Sequence, residues 1–430
     1  MISYNKIKYS SWNFLVFLFF VLVFGRGSSL VVNFDPRINP IGSLLYVGCL
    51  FYMLANYRKE CIAVKSILAK IFWGILIVWT VFHVFFLDGG FPVIIYGQFL
   101  LHIFAGILII KTYGENIGVY FEKVMVLLSA ISIVCWSIET VGGQEVLLKF
   151  PILLENTYGN SDYSILFYTL GNSNIGGHIY EGLCRNSGCA WEPGLFSVML
   201  CISLFFNLSR NRGIKCDRNL LILLVALITT FSTTGYVVAM LLFACYYIFS
   251  KKMSFVRKLL YVSVFIWVSI YIYKLPFMSD KIATSSDKEN FTIESGVLEW
   301  HERTDQTYTV DRFEGLYLDW LNLKHYPVLG YGLQREKSYV YKTISPYVKT
   351  SNGLVKPLAQ FGLLLGLLFL LLTYKSCRKL SYDYSFEVPW ILFMVIVVGS
   401  ISYMFDSTPI MRAIELYALY NMKTIVCTCK

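Results

Sequence analysis

The feature that most constrains this chain is its succession of long apolar runs separated by short charged connections. In chain order they cover about 12–32, 41–57, 67–87, 93–110, 117–140, 194–208, 219–232, 235–250, 257–275, 353–373, 388–404 and 410–427. A helix crossing the hydrocarbon core of a bilayer needs roughly 20 apolar residues. Backbone in lipid must also satisfy its own hydrogen bonds, which leaves helices as the natural spanning elements here. The runs therefore predict an all-α polytopic integral membrane protein with about 11 or 12 transmembrane helices. Composition agrees, since 56% of residues are hydrophobic and 15% are charged, against about 25% charged in soluble domains. A soluble enzyme, a disordered chain, a disulfide-rich secreted module and a nucleic-acid binder are excluded by the same figures. The run Phe14–Phe24, following Lys6 and Lys8, reads as an uncleaved signal anchor among so many later segments.

The net charge of +10 acts first as an orientation signal, because cytoplasmic connections collect Lys and Arg. With the N-terminus inside, the inner connections carry 21 of these residues and the short outer ones only Arg26, Arg37 and Arg412. Both termini are then cytoplasmic. The expected organisation is five helices over 1–140, an outer (periplasmic) loop over 141–193 and four helices over 194–275. A large outer loop with an amphipathic helix follows over 276–352, then C-terminal helices and a tail over 353–430. The two runs flanking Ser232-Thr233-Thr234-Gly235 are barely long enough to cross and allow a tight or partly re-entrant hairpin. The last run holds Arg412, Glu415 and Lys423, which leaves eleven spans with an unusual tail as the alternative. His83, His102, Glu122 and Glu139 lie within spans and are expected to face the bundle interior, paired with one another or binding a ligand.

Function is expected in the two long outer loops, where neither charge balance makes a polybasic patch. The first ends in Cys184-Arg185-Asn186-Ser187-Gly188-Cys189-Ala190-Trp191-Glu192-Pro193-Gly194 and runs straight into an apolar helix. Pro193 suits a first helical turn, and Glu192 before it either only caps that helix or does chemistry beside Arg185. A helix N-terminus next to an arginine is also a ready phosphate site. Cys184 and Cys189 could form a small disulfide around Arg185 in an oxidising compartment, or remain two thiols. In the second loop, apolar residues at 313, 316, 317, 320, 321 and 323 repeat with a helical period that must stop near Pro327. This segment begins at Arg312 and carries Trp320 and His325. A glycine turn, Gly330-Tyr331-Gly332, precedes Arg335. Thr350-Ser351-Asn352-Gly353-Leu354 opens the next span.

These residues resemble the O-antigen polymerase and O-antigen ligase superfamily of membrane glycosyltransferases. The resemblance is carried by Arg185 with Trp191-Glu192-Pro193, by Arg312, Trp320, Pro327, Gly330 and Gly332, and by Asn352, Leu354 and Phe361-Gly362-Leu363-Leu364. It covers mainly residues 180–370. Its implications are a GT-C-like helical fold, a polyprenyl diphosphate-linked oligosaccharide as substrate, and transfer on the outer face of the bacterial cytoplasmic membrane. Ligases of this family place a histidine before the asparagine aligned here with Asn352, whereas this chain has Ser351. The turn at 232–235 also lacks the arginine that many relatives carry.

Such a transfer needs cations on the leaving diphosphate and a base for the acceptor hydroxyl. Arginine suits the first role because its fork binds phosphate oxygens in pairs and stays charged. The resemblance and the residue types together nominate Arg185, Arg312 and Arg335 for the diphosphate, and Glu192, then His325, as base, with His178 a further alternative. Trp191, Trp320, Tyr331 and Asn352 are supporting candidates. No cofactor and no metal is expected, since neither a metal-ligand spacing nor a carboxylate cluster appears. The reading is a repeat-unit polymerase, with a ligase or a flippase as alternatives. Its partners would be the lipid-linked oligosaccharide, membrane lipid, and a chain-length regulator and flippase of the same pathway, with no nucleic acid.

Overall fold

In a computed structural model the chain is an all-α membrane protein. The structure describes residues 10–25, 39–57, 61–63, 66–87, 93–149, 153–155, 163–165, 167–170, 179–180, 183–211, 217–249, 308–310, 312–350, 352–401 and 408–422, with isolated positions between 254 and 263. The expected span 257–275, His178, Ser351 and most of the large loop before 308 lie outside the described residues.

The helices are α1 (Ser11–Gly25), α2 (Asn39–Asn56), α3 (Ile67–Phe82), α4 (Val93–Tyr113), α5 (Ile117–Thr140), α6 (Gln144–Leu148) and α7 (Pro193–Asn211). They continue with α8 (Arg218–Thr229), α9 (Thr233–Phe249), α10 (Arg312–His325), α11 (Tyr339–Thr343), α12 (Val355–Asp383), α13 (Ile391–Ser400) and α14 (Pro409–Leu416). Among the described residues, four stretches are long and apolar enough by composition to cross a membrane: Ile67–Phe85, Ile95–Thr140, Pro193–Asn211 and Val355–Asp383. Five shorter apolar helices accompany them. Gly114, at φ +54°, and a 3-10 turn over Gly114–Asn116 divide α4 from α5 within the longest stretch.

Helix α7 is the axis of the bundle, packing against α5, α8, α9 and α13. Seventeen of its residues are buried, small and polar ones such as Ser197 and Ser203 included. Without a hydrophobic drive between helices in lipid, small residues let backbones approach closely. A Cβ on Gly235 of α9 would lie 2.3 Å from the Ser197 Cβ, so α7 and α9 meet through that glycine.

Charges inside the bundle are paired, though with partners other than one another. Glu122 on α5 is buried and accepts from Arg210 Nη2 at 2.8 Å, Asn207 Nδ2 at 2.8 Å and Asn219 Nδ2 at 3.2 Å. Glu139 accepts the Tyr168 hydroxyl at 2.5 Å. These are the satisfied partners that intramembrane carboxylates require.

The last apolar run departs from a simple span. Among its described residues Pro409–Leu416 is helical; a 3-10 turn over Tyr417–Leu419 follows, and then Tyr420–Met422 pairs antiparallel with Cys61–Ala63. The reason is visible in the side chains. Arg412 is 1% exposed and bonds Glu415 at 2.7 Å, with its guanidinium 4.5 Å from the Phe369 ring centre. Beyond it, Ser376 Oγ donates to the Glu415 carbonyl and accepts from Ala418 N–H. Side chains of α12 thus take over backbone groups that a longer helix would have satisfied internally.

Candidate active site

The site residues gather into two groups, each built where a connecting segment meets a helix end. The first stands at the start of α7. The strand Leu183–Cys184 runs into Arg185 and Asn186, and Asn186 fixes this segment to the α8–α9 turn. Its N–H donates to the Thr229 carbonyl at 2.9 Å, and its side-chain amide donates to Thr229 Oγ1 at 2.9 Å and Ser132 Oγ at 3.2 Å. Its own oxygen accepts Gly188 N–H at 2.9 Å. Arg185, half-buried, donates from Nε to the Thr230 carbonyl at 3.2 Å. The residue is therefore held against the turn at 229–233, where this chain lacks a second arginine.

Glu192 immediately precedes Pro193, and its carbonyl accepts Phe196 N–H at 3.3 Å, which is the first bond of α7. It thus occupies the capping position read from the sequence, half-buried, with Trp191 beside it 43% exposed. No bond joins Cys184 and Cys189. Cys189 is packed into the main hydrophobic core, whereas Cys184 faces the Glu139 and Tyr168 pair, so the two sulfurs serve different surroundings. The disulfide expected as one alternative is absent.

The second group joins α10 to α12. Arg312 is the first residue of α10. The buried face of this helix is formed by Gly315, Leu318, Asp319, Asn322 and Leu323, while Trp320 is 54% exposed and Tyr317 also faces outward. The helix therefore puts its aromatic face toward the surroundings, as an interfacial helix does, and buries polar groups instead. Asp319 accepts Thr350 Oγ1 at 2.9 Å, and Asn322 accepts Val340 N–H at 3.0 Å. Lys356, the second residue of α12, donates to the Thr350 carbonyl at 2.9 Å. Asn352 accepts the N–H groups of Leu354 and Val355 at 2.9 and 3.0 Å, and donates to the Ile401 carbonyl at 3.3 Å. It caps α12 and ties it to α13.

After α10 the chain turns at Pro327–Gly332 and inserts into a break in α12. Gly362, at φ +70° and ψ 173°, interrupts that helix. Four backbone bonds lock the turn into the gap: Tyr331 N to Ala359 O at 3.1 Å, Gly332 N to Gln360 O at 3.0 Å, Leu363 N to Pro327 O at 2.8 Å and Leu364 N to Val328 O at 3.3 Å. From α3, Trp79 Nε1 donates to the Leu329 carbonyl at 2.7 Å, and His83 Nε2 lies 3.0 Å from the same oxygen. Tyr331 is buried with Leu323 and Ala359. Its role is packing within this lock.

The remaining candidates are occupied locally. His325 is exposed, with Nδ1 2.9 Å from the Leu321 carbonyl of its own helix and its ring stacked 3.4 Å from Tyr339. Arg335 donates to the Pro346 carbonyl and sits over the Tyr341 ring at 5.5 Å. Both side chains thus shape the loop. Among the described residues no set of three His, Cys, Asp or Glu side chains is placed to hold a metal ion.

Asp319 is the residue that sequence reasoning missed. Burial pushes its carboxyl up to about 7, opposed by the Lys356 ammonium and by hydrogen bonds from Thr350 and Asn322. The available signal was an acid on the inward stripe of an amphipathic helix, where it needs a partner. The sign of the pH effect follows. Native Asp319 holds its proton to higher pH than the unfolded chain, so the stability it contributes falls as pH rises from about 4 to about 7. Asp319→Asn is expected to raise the melting temperature in detergent at pH 8 relative to the parent, with the gap narrowing as pH falls and closing near pH 4. A pH-independent difference between the two proteins would contradict the assignment.

Comparison with known proteins places this geometry in a family context. Residues 219–370 match the family model described as O-Antigen ligase. The match begins in α8 and ends within α12, so it includes α10, the inserted turn and the Asp319 cluster. No curated protein and no solved structure matches the chain.

Proposed function

Starting from the match of residues 219–370 to the family model described as O-Antigen ligase, we propose that the protein polymerises lipid-linked oligosaccharide repeat units. The growing glycan leaves its polyprenyl diphosphate for a hydroxyl of an incoming lipid-linked unit, on the outer face of the bacterial cytoplasmic membrane with both protein termini inside. The observation that carries this reading is the build of the arginine-bearing segments. Arg185 is fixed on a turn beside the first residues of α7, and Arg312 opens a helix clamped to α12. Arginines anchored by rigid elements at a membrane surface suit a diphosphate whose negative charge grows as it leaves. Glu192 at the same surface is the base for the acceptor hydroxyl, and the exposed faces of Trp191 and Trp320 are available to sugars. Arg335 contributes by holding the 335–346 loop.

Ligation of a finished glycan to another acceptor is the second reading, favoured by the description of the matching family model. Ser351, standing where ligases carry histidine, favours polymerisation. A chain-length regulator and a flippase are the partners expected for a polymerase.

Reconstituted protein supplied with lipid-linked repeat units as donor and acceptor is expected to build multi-unit chains. Glu192→Gln should slow this by about 100-fold or more, the usual contribution of a general base, with little change in apparent donor affinity. Full activity in that variant would leave Glu192 as a helix cap only. Product formed only after addition of a lipid A core or protein acceptor would establish the ligase instead.

A further inference from the structure

The last turns of α12 carry a feature unrelated to the outer-face groups. Leu363, Leu364, Leu367 and Leu371 are exposed along one stripe of this helix, and the stripe continues through Lys375, Arg378 and Tyr382 with alternating steps of three and four residues. At its end lies an open surface pocket of about 390 Å³ lined by Lys375, Arg378, Lys379, Tyr382 and Pro389. No carboxylate lines it. Lys379 is committed to the Tyr420 carbonyl and the Tyr417 ring, 5.3 Å away. Lys375 and Arg378 are exposed, and no described residue accepts a hydrogen bond from either. Asp383, the nearest acid on the helix, is taken by the Tyr417 hydroxyl at 2.9 Å.

We propose that this end of α12 is a binding site for an anionic phospholipid, whose phosphate meets Lys375 and Arg378 while an acyl chain lies along the leucine stripe. The continuity of the apolar stripe with the cationic pocket selects an amphiphile over a free anion. Beyond the break at Gly362, α12 runs on to Asp383, and at 1.5 Å per residue that stretch is about 32 Å long, enough to cross the roughly 30 Å hydrocarbon core. Its basic end therefore reaches the interface opposite α10, where basic pockets between helices meet lipid head groups. Tyr382, 83% exposed, sits at the level where aromatic rings anchor in the head-group layer. The inference rests only on the membrane-spanning class of the chain. Its measurement uses no sugar substrate, so it stands or falls separately from the transferase reading.

The test is native mass spectrometry of the full-length protein in detergent, titrated with palmitoyl-oleoyl phosphatidylglycerol or the matching phosphatidylcholine. The parent should retain phosphatidylglycerol preferentially, and the preference should weaken with added salt. Lys375→Gln with Arg378→Gln should weaken phosphatidylglycerol binding by about thirtyfold, the effect of two surface cations. The charge-conserving Lys375→Arg with Arg378→Lys should restore it. Equal retention of the two lipids by the parent would overturn the site, as would undiminished binding by the neutralised variant. Thermal stabilisation of the parent by inorganic phosphate as strong as that by phosphatidylglycerol would replace it with a free-anion site.

Discussion

Gly362→Ala is expected to yield protein that either fails to accumulate in the membrane or unfolds at a much lower temperature than the parent. Its backbone, at φ +70° and ψ 173°, lies in a region that costs a side-chain-bearing residue about 1–3 kcal/mol. The added Cβ would also sit 2.2 Å from the Val328 carbonyl oxygen and 2.5 Å from Gly330 N. Those are backbone atoms of the inserted turn and cannot swing aside. Overpacking of this kind costs about 1–3 kcal/mol more, a large share of a stability of about 5–15 kcal/mol. Gly48→Ala on α2, whose Cβ would meet nothing within 4 Å, is the matched control and should leave the melting temperature unchanged or slightly raised. Thermal unfolding of the three proteins in detergent checks the expectation. A Gly362→Ala protein as stable as Gly48→Ala would mean that the turn is not locked into the helix break.

The second large effect concerns the buried pair on α14. Arg412→Leu removes a guanidinium that bonds Glu415 at 2.7 Å and lies over the rings of Phe369 and Phe99 at 4.5 and 5.3 Å. It leaves a carboxylate in the bundle without its cation. Breaking a buried pair on one side costs about 3–5 kcal/mol, whereas replacing both members with apolar residues is often neutral. The double variant Arg412→Leu with Glu415→Leu should therefore recover most of the stability lost by the single one, as read by urea or thermal unfolding. A double variant as unstable as the single would place the cost in the ring contacts and not in the charge.

The helices of the bundle were legible because lipid imposes a length and an apolar composition on every crossing element. The start of α7 was legible too, since proline after a capping carboxylate marks a helix beginning by itself. The Pro327–Gly332 turn could be read as a turn, but not its seat. Gly362 sits inside Phe361-Gly362-Leu363-Leu364, where one glycine among apolar residues gives no sign that the helix is broken. The lock depends on backbone groups 28 or 36 residues apart meeting in space. The final run reads as a span or as an unusual tail, because Arg412 and Glu415 look expensive in a span until the Phe369 and Phe99 rings and the α12 side chains that accommodate them are seen. Asp319 was hidden for a related reason. Its partners Thr350 and Lys356 are 31 and 37 residues away in the chain, and helical periodicity pointed instead to the aromatic face. His325, nominated from chemistry alone, is held by Leu321 and Tyr339 at the loop surface.

The central claim is that this chain extends a glycan carried on a lipid diphosphate. The measurement that tests it most directly is the size distribution of that glycan in cells lacking the gene and complemented with the parent or with Arg312→Ala, separating carrier-linked from acceptor-linked material. Single repeat units on the final acceptor are expected without the gene, a full ladder with the parent, and single units again with Arg312→Ala. Long chains stranded on the lipid carrier, or a ladder that persists without the gene, would contradict it.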